Sequence, residues 1–505
     1  MTAKPLMVQG TASSAGKSAL VTALCRIYAR RGFRVAPFKA QNMALNSYVT
    51  PEGGEIGRSQ AAQAEACGIQ PSTDMNPVLL KPNSDRRSQV IVNGRVRTTL
   101  DAKEYYAFRH TLQPEVRAAY ARLAAVNDII IIEGAGSPAE INLRENDLVN
   151  MGMAAMADAP VLLVADIDRG GVFASLYGTA ALLAPEERAR ITGFVINKFR
   201  GDVSILEPGL DELEKLTGIP TLGVLPYWQI PLDEEDSLAE RLVRRVKPSG
   251  PDTVDIAVLK LPRLSNFTDF AVFDLFDDVR LRYVETDGDL GAPDMVILPG
   301  SKNTVHDLAA LEKSGMADAV RAYHASGGVV AGICGGFQML GTAIADPGGV
   351  ESGAFRVDGL GLLDMHTVFA AEKRTVRVSG TVTACPGVLA AVSGLPVEGY
   401  EIHMGRSSFD LSRHPFLTLA TGELEGAVSP DGRVFGTYMH GVFDSVPVAR
   451  ALANGLRALR GLPERSAAHL PATYGEYRRA QYDALADIVE AHLNMDMIDA
   501  IIWGV

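Results

Sequence analysis

The sequence predicts two α/β domains in series, each built on a mainly parallel sheet. Three observations carry this expectation. Short continuous apolar runs, among them "DIIIIEG", "APVLLVADID", "RITGFVINKF" and "IPTLGVLP", suit strands covered by helices on both faces. A charged stretch ending in Pro, Ser and Gly, "PLDEEDSLAERLVRRVKPSGPD" (231–252), interrupts them as a linker would. A second strand series begins directly after it, and 505 residues exceed what one core usually supports. The expected division is 1–230, a linker at 231–252, a second domain at 253–445, and a helical extension at 446–505 packing on that second domain.

The first element is a strand, "PLMVQG", leading through a glycine-rich turn into the amphipathic "KSALVTALCRIYARRG". The turn, "GTASSAGKS", runs from Gly10 to Ser18 and is one residue longer than the standard phosphate loop. Its backbone N–H groups (Gly10, Thr11, Ser14, Ala15, Gly16) and the helix start would cradle phosphates. Lys17 adds charge there, and Ser18 can hold Mg²⁺. ATP and Mg²⁺ are the implied cofactors. After four isoleucines a parallel strand delivers Glu133 beside the phosphates, in the position of a metal-ligating acid. Asn197 and Lys198 end another strand, and Asp166 and Asp168 could contact metal or phosphate.

Between these strands lies "RVAPFKAQNMALNSYVTPEGGEIGRSQ", rich in hydrogen-bonding groups: Lys39, Gln41, Asn42, Asn46 and Ser47. Lys81, Asn83, Arg86 and Arg87 add local positive charge within a protein of formal net charge −12. Such a patch suits a polycarboxylate substrate. The overall acidity argues against general binding to nucleic acid or an anionic membrane. Four cysteines without metal or disulfide spacing, and no apolar leader or membrane-length run, predict a cytoplasmic protein. Homo-oligomerisation is left open.

In the second series, "GGVVAGICGGFQMLG" places Cys334 between small residues on a strand-to-helix turn. That is the nucleophile-elbow form, with the thiol at a helix start that favours its anion. The N–H of Gly335 would face a developing oxyanion. "MVILPGSKNT" ends an earlier strand with Gly300 and Ser301, and Gly300 supplies the second donor. "GTYMHGVF" offers His440 as the base. The position two residues after it is Val442, so no acid is available there; Asp444 and Glu401 stay unassigned, and a Cys–His dyad is the expectation.

The long phosphate loop resembles that of dethiobiotin synthetase and related amide-forming ligases. That resemblance implies adenine reading by Asn197 and a substrate-carboxylate lysine at Lys39; Glu55 in "GGEIGRSQ" is a further candidate Mg²⁺ ligand. Residues of roughly 254–445, with the elbow cysteine, the Pro-Gly strand end and the late histidine, resemble the class I glutamine amidotransferases. Over nearly its whole length, and most specifically at 34–82, "VEGYEIHMGRS" and "GTYMHGVFD", the chain resembles the cobyric acid synthases. That resemblance implies ATP- and glutamine-dependent amidation of a corrinoid polycarboxylate, with Lys39, Gln41, Asn42 and Lys81 as substrate contacts. The sister cobyrinic acid a,c-diamide synthases share the architecture. A partition-type ATPase switch would explain the phosphate loop but gives the cysteine no task.

Overall fold

In the computed structural model, residues 3–83, 87–145, 147–228, 230, 250–351, 355–408 and 414–504 are described. Most of the expected linker (231–249), and Arg86, lie outside them.

Two parallel-dominated α/β sheets are present, as the apolar runs require. The first is wholly parallel, in the order Thr221–Pro226, Ile191–Phe199, Val161–Asp166, Lys4–Gly10, Ile129–Glu133, Val35–Phe38. Alternation along each strand divides its side chains between two cores. Ile130 and Ile132 face one, with Met7 and Leu163, whereas Ile129 and Ile131 face the other, with Leu6, Val8 and Leu162. The central Lys4–Gly10 strand runs straight into the phosphate loop, and helix Lys17–Arg30 starts there. Its neighbours lie on both sides of it, so the loop opens at the carboxyl end of the sheet where chain order reverses.

An insertion follows Val35–Phe38. Strands Gln41–Met43, Val78–Pro82, Arg87–Val92 and Arg95–Asp101 form a four-stranded sheet, and Ser47–Val49 pairs with Glu55–Gly57 ahead of helix Arg58–Cys67. This insertion is the part of the first domain that meets the second.

The second sheet runs Val279–Glu285, Val254–Lys260, Met295–Leu298, Val329–Ile333, Val434–Thr437, Ala427–Val428, with only the last strand antiparallel. Ile333 pairs with Thr437, so the ends of two adjacent parallel strands carry Cys334 and His440. A long antiparallel pair, His366–Val382 with Pro396–Ser408, covers that end.

The C-terminal region departs from expectation. Helix Val446–Leu459 packs on the second domain, where Arg450 and Arg457 share the buried Asp278 at 2.6 and 3.0 Å. Helix Tyr474–His492 begins against the second domain, with Tyr474 in its core, but from Tyr482 onward it and Met495–Trp503 pack on the first domain, correcting in part the expectation for residues 446–505. Leu485, Val489, Ile498 and Ile502 complete the core beneath helix Lys17–Arg30. Arg26, Arg30 and Arg31 on that helix pair with Asp483, Asp487 and Asp499. The apolar face of Tyr474–His492 was legible in sequence. Its partner was not, because amphipathicity specifies a buried side and no address.

Candidate active sites

Cys334 has φ 53° and ψ −107°, the strained backbone of an elbow between strand Val329–Ile333 and helix Gly335–Leu340. The tight turn requires glycine next to it: a Cβ on Gly336 would lie 1.9 Å from the Leu298 carbonyl oxygen. The Cys334 N–H donates to Thr437 O at 2.8 Å, and its sulfur lies 3.7 Å from Ile402 O. His440 and Cys334 line the same pocket.

The third member of this site is Asp269. His440 Nδ1 lies 2.7 Å from Asp269 Oδ2, and both side chains are buried. Burial alone would strip the imidazole of its proton; Asp269 and then Cys334 outweigh it and push the His440 pKa up to about 10. The result is a Cys–His–Asp triad rather than a dyad. Glu401 instead faces Arg374 and His403, and Asp444 faces Arg478. Asp269 comes from the segment Phe267–Leu275, far from the other two in sequence. Its signal was there: one acid inside "FTDFAVF", whose remaining side chains are buried.

Gly300 and Gly335 come to the same place. A Cβ on Gly335 would sit 2.9 Å from Ser301 N, and one on Gly300 would sit 3.1 Å from His440 Cε1. Their backbone thus flanks the Cys334–His440 pair. Tyr400 stacks on His440, with ring centroids 5.3 Å apart, and donates its hydroxyl to Ser47 O of the first domain at 3.1 Å. Ser47 N–H in turn donates to Asn266 Oδ1, three residues before Asp269.

The phosphate loop forms a second centre. Ser18 Oγ donates to Glu133 Oε1 at 2.9 Å, and Lys39 Nζ reaches the same oxygen at 2.8 Å. Burial works against ionisation of Glu133, but Lys39, Gln63 and Ser18 hold its carboxyl below the usual range. Lys17 donates to Ala12 O, Ser13 O and Gly136 O, and burial pushes its amine down to about 8. Gly16, at φ 104°, lies against Asn197, whose amide would clash with a Cβ at 1.9 Å. Asn197 Nδ2 donates to Ala15 O at 2.9 Å, so this residue braces the loop containing Thr11 and Ser14. A hydroxyl and a buried carboxylate beside a phosphate cradle form an oxygen-only set of the kind that suits Mg²⁺ with phosphate oxygens and water.

Comparison with known proteins places the two domains in families. Residues 6–237 match the CobQ/CobB/MinD/ParA nucleotide binding domain, and residues 255–448 match the CobB/CobQ-like glutamine amidotransferase domain. Relatives from Citrobacter koseri, Yersinia enterocolitica and Photorhabdus laumondii, each named cobyric acid synthase, are 52%, 52% and 51% identical. Each alignment covers 98% of this chain and 97% of the relative. This chain belongs to the cobyric acid synthase family. It is a glutamine-dependent amidating ligase with a nucleotide-binding domain.

Within this cobyric acid synthase fold, the remaining expected residues separate. Glu55 does not join Ser18 and Glu133. Its Oε1 accepts from Lys81 Nζ at 2.7 Å and its Oε2 from Lys373 of the second domain. Burial opposes its charge, yet Lys373 and Lys81 hold the carboxyl far below its usual range. With both oxygens committed to lysines, the expected metal role is replaced by an interdomain ion bridge. Lys81 likewise lines the pocket of Cys334 and also donates to Ser47 Oγ at 2.9 Å. It is therefore removed from Lys39. Gln41 accepts from Tyr105, Asn42 donates to Gln60, and Arg87 donates to Thr99 O in its own hairpin. Asp166 pairs with Lys198 and Asp168 with Arg200, both by salt bridges at or just beyond the carboxyl ends of two interior strands. No helix among the described residues is long and apolar enough to cross a membrane.

Proposed function

We propose that this chain converts adenosylcobyrinic acid a,c-diamide to adenosylcobyric acid, amidating the b, d, e and g carboxylates with ammonia taken from glutamine. The observation that carries this reading is the pairing, in one chain of the cobyric acid synthase family, of a buried Cys334–His440–Asp269 triad with a separate phosphate cradle.

At the triad, Cys334 Sγ attacks the side-chain amide carbon of glutamine. The C–N bond breaks to give a γ-glutamyl thioester, and His440 returns the proton to the departing ammonia. The Gly335 and Gly300 N–H groups are the candidate donors for the transient oxyanion. Water then cleaves the thioester to glutamate, with His440 as base. Asp269 holds the imidazole orientation throughout.

At the cradle, the loop N–H groups and Lys17 would bind ATP phosphates, with Asn197 fixing the loop. Ser18 and Glu133 would hold Mg²⁺, which would neutralise charge on the phosphates when bound. Lys39, within reach of Glu133, is placed to meet the substrate carboxylate as it is converted to an acyl phosphate. Ammonia displaces phosphate from that acyl phosphate to leave a primary amide. Free ammonia is mostly protonated near neutral pH, so release inside the same chain supplies the nucleophilic form. Cytoplasmic location fits these soluble substrates.

C334S is the direct test. It should abolish glutamine-dependent amidation and keep amidation driven by high ammonium. Loss of both in a folded variant would sink the two-centre reading. Preference for undecorated cobyrinic acid over its a,c-diamide would sink the substrate assignment.

A further inference from the structure

The pocket holding Cys334 and His440 is strongly charged at one end. Besides the Glu55 bridge to Lys81 and Lys373, it is lined by Lys302 and Glu351. Three ammonium groups thus surround one cavity. Glu55 engages two of them with its two oxygens, whereas Lys302 Nζ makes no salt bridge or hydrogen bond among the described residues. Glu351 is held nearby, its Oε2 accepting from Thr304 N at 2.7 Å. Burial, and then Lys373 and Lys81, push the Lys302 amine down to about 8, while burial pushes the Glu351 carboxyl up to about 7. Both groups are left under-compensated in a site already committed to ligand binding.

Position gives these charges a task. Lys302 directly follows Ser301, whose backbone abuts Gly335 beside the nucleophile. The Leu264–Ser265 and Gly300–Ser301 pairing fixes this backbone, and Lys302 N–H donates to Arg263 O at 3.0 Å. In glutamine, four bonds separate the amide carbon from the α-carboxylate carbon, about 5 Å when extended. A ligand with its amide at Cys334 therefore needs an anion partner roughly one side-chain length away, with a cation partner next to it.

We infer that Lys302 binds the α-carboxylate of glutamine and Glu351 its α-ammonium, making this pair the amino-acid recognition site of the glutaminase. The inference rests on the reading of Cys334 as the glutamine nucleophile. Lys302 and Glu351 attract one another, but burial outweighs that attraction at both, and the zwitterion supplies each with a direct partner of opposite charge. Lys81 and Lys373, tied to Glu55, are left to hold the domain junction.

The test compares wild type with K302M on glutamine and on glutamine α-amide, which lacks the carboxylate. Losing one charge-assisted contact should raise KM for glutamine about 10- to 100-fold. The kcat should stay within about threefold, since the contact is equal in ground and transition states. KM for the α-amide should be little changed, so the preference for the free carboxylate collapses. Ammonium-driven amidation, and KM for the corrinoid measured with ammonium, should match wild type and confirm folding. Unchanged discrimination between glutamine and its α-amide would overturn the inference. So would a raised corrinoid KM with normal glutamine KM, which would assign Lys302 to the corrinoid carboxylates. C334S separates the two failures: if it keeps glutaminase activity, the nucleophile reading fails rather than the Lys302 assignment.

Discussion

Asp269→Asn keeps the shape of the triad and removes the charge that sets His440. Between the ordinary imidazole value of 6.5 and about 10 lies a free-energy difference of roughly 5 kcal/mol, at about 1.4 per pH decade. Asp269 is the larger favourable contributor and Cys334 the second, and together they also overcome the opposing effect of burial, so removing the Asp269 charge takes away the main support of the imidazolium. The amide can also donate to Nδ1 and lock the wrong tautomer, which adds to the loss. The expected fall in kcat for glutamine hydrolysis is ~10²- to 10⁴-fold. Glutamate formation, measured against C334S as the floor, reads it out, and ammonium-driven amidation should be unaffected.

The same variant makes a second, independent reading available. Folded His440 keeps its proton to higher pH than the unfolded chain does. Its contribution to stability is therefore fully present below 6.5 and lost as pH rises through about 10. D269N should flatten that decline, followed by urea unfolding across the interval. A D269N enzyme within threefold of wild-type glutaminase activity would refute the triad. An equal loss in E401Q or D444N, with D269N active, would assign the role elsewhere.

Glu425 is buried, accepts from Thr437 Oγ1 and Tyr438 N, and is pushed up to about 8 by burial. The folded state holds this proton where the unfolded state has released it, so stability falls as pH rises from about 4.5 to 8; E425Q should gain on wild type by up to a few kcal/mol across that range, and a constant difference would contradict this. D278N leaves Arg450 and Arg457 buried without their shared anion and should cost about 3–5 kcal/mol in urea unfolding, against a near-neutral result if the trio is solvent-screened. Both tryptophans, Trp228 and Trp503, pack on the core that the C-terminal helices complete. L485A should therefore destabilise the transition seen by tryptophan fluorescence by about 2–5 kcal/mol. Thermal loss of glutaminase activity should stay at the wild-type temperature; the reverse pattern would return the tail to the second domain.

Both sheets and the two reacting groups of the triad were legible because each depends on local geometry. A run such as Ile129–Ile132 buries alternate residues on both faces whatever surrounds it, and the Gly-x-Cys-x-Gly turn puts Cys334 at the head of a helix, lining a pocket. His440 followed from the order of motifs along the chain. Asp269 did not, because it reaches His440 from a 3₁₀ helix, Phe267–Leu275, far away in sequence and packed against Phe443. Glu55 failed for a related reason. Its place after a glycine pair suggested a phosphate-side acid, but the Ser47–Val49 hairpin carries it to the other domain. Spacing predicts where a strand ends, and tertiary contacts decide what it ends beside.

That hairpin also ties residues 34–82 to both centres. One end must satisfy the phosphate cradle, through Lys39 and Gln63 on Glu133. The other must satisfy the glutaminase, through Ser47 on Tyr400 and Asn266, and Glu55 on Lys373. These contacts are polar and mostly buried, so an apolar replacement on one side strands its partner at about 1–3 kcal/mol each. Helix Arg58–Cys67 joins the two ends directly: Glu55 precedes it by three residues, and Gln63 lies on it. At 1.5 Å per helical residue Gln63 lies about 8 Å along that helix, and Glu55 sits on the short strand Glu55–Gly57 that leads into it. A segment answering to two sites at once tolerates few substitutions, because a change that suits one end must not disturb the other.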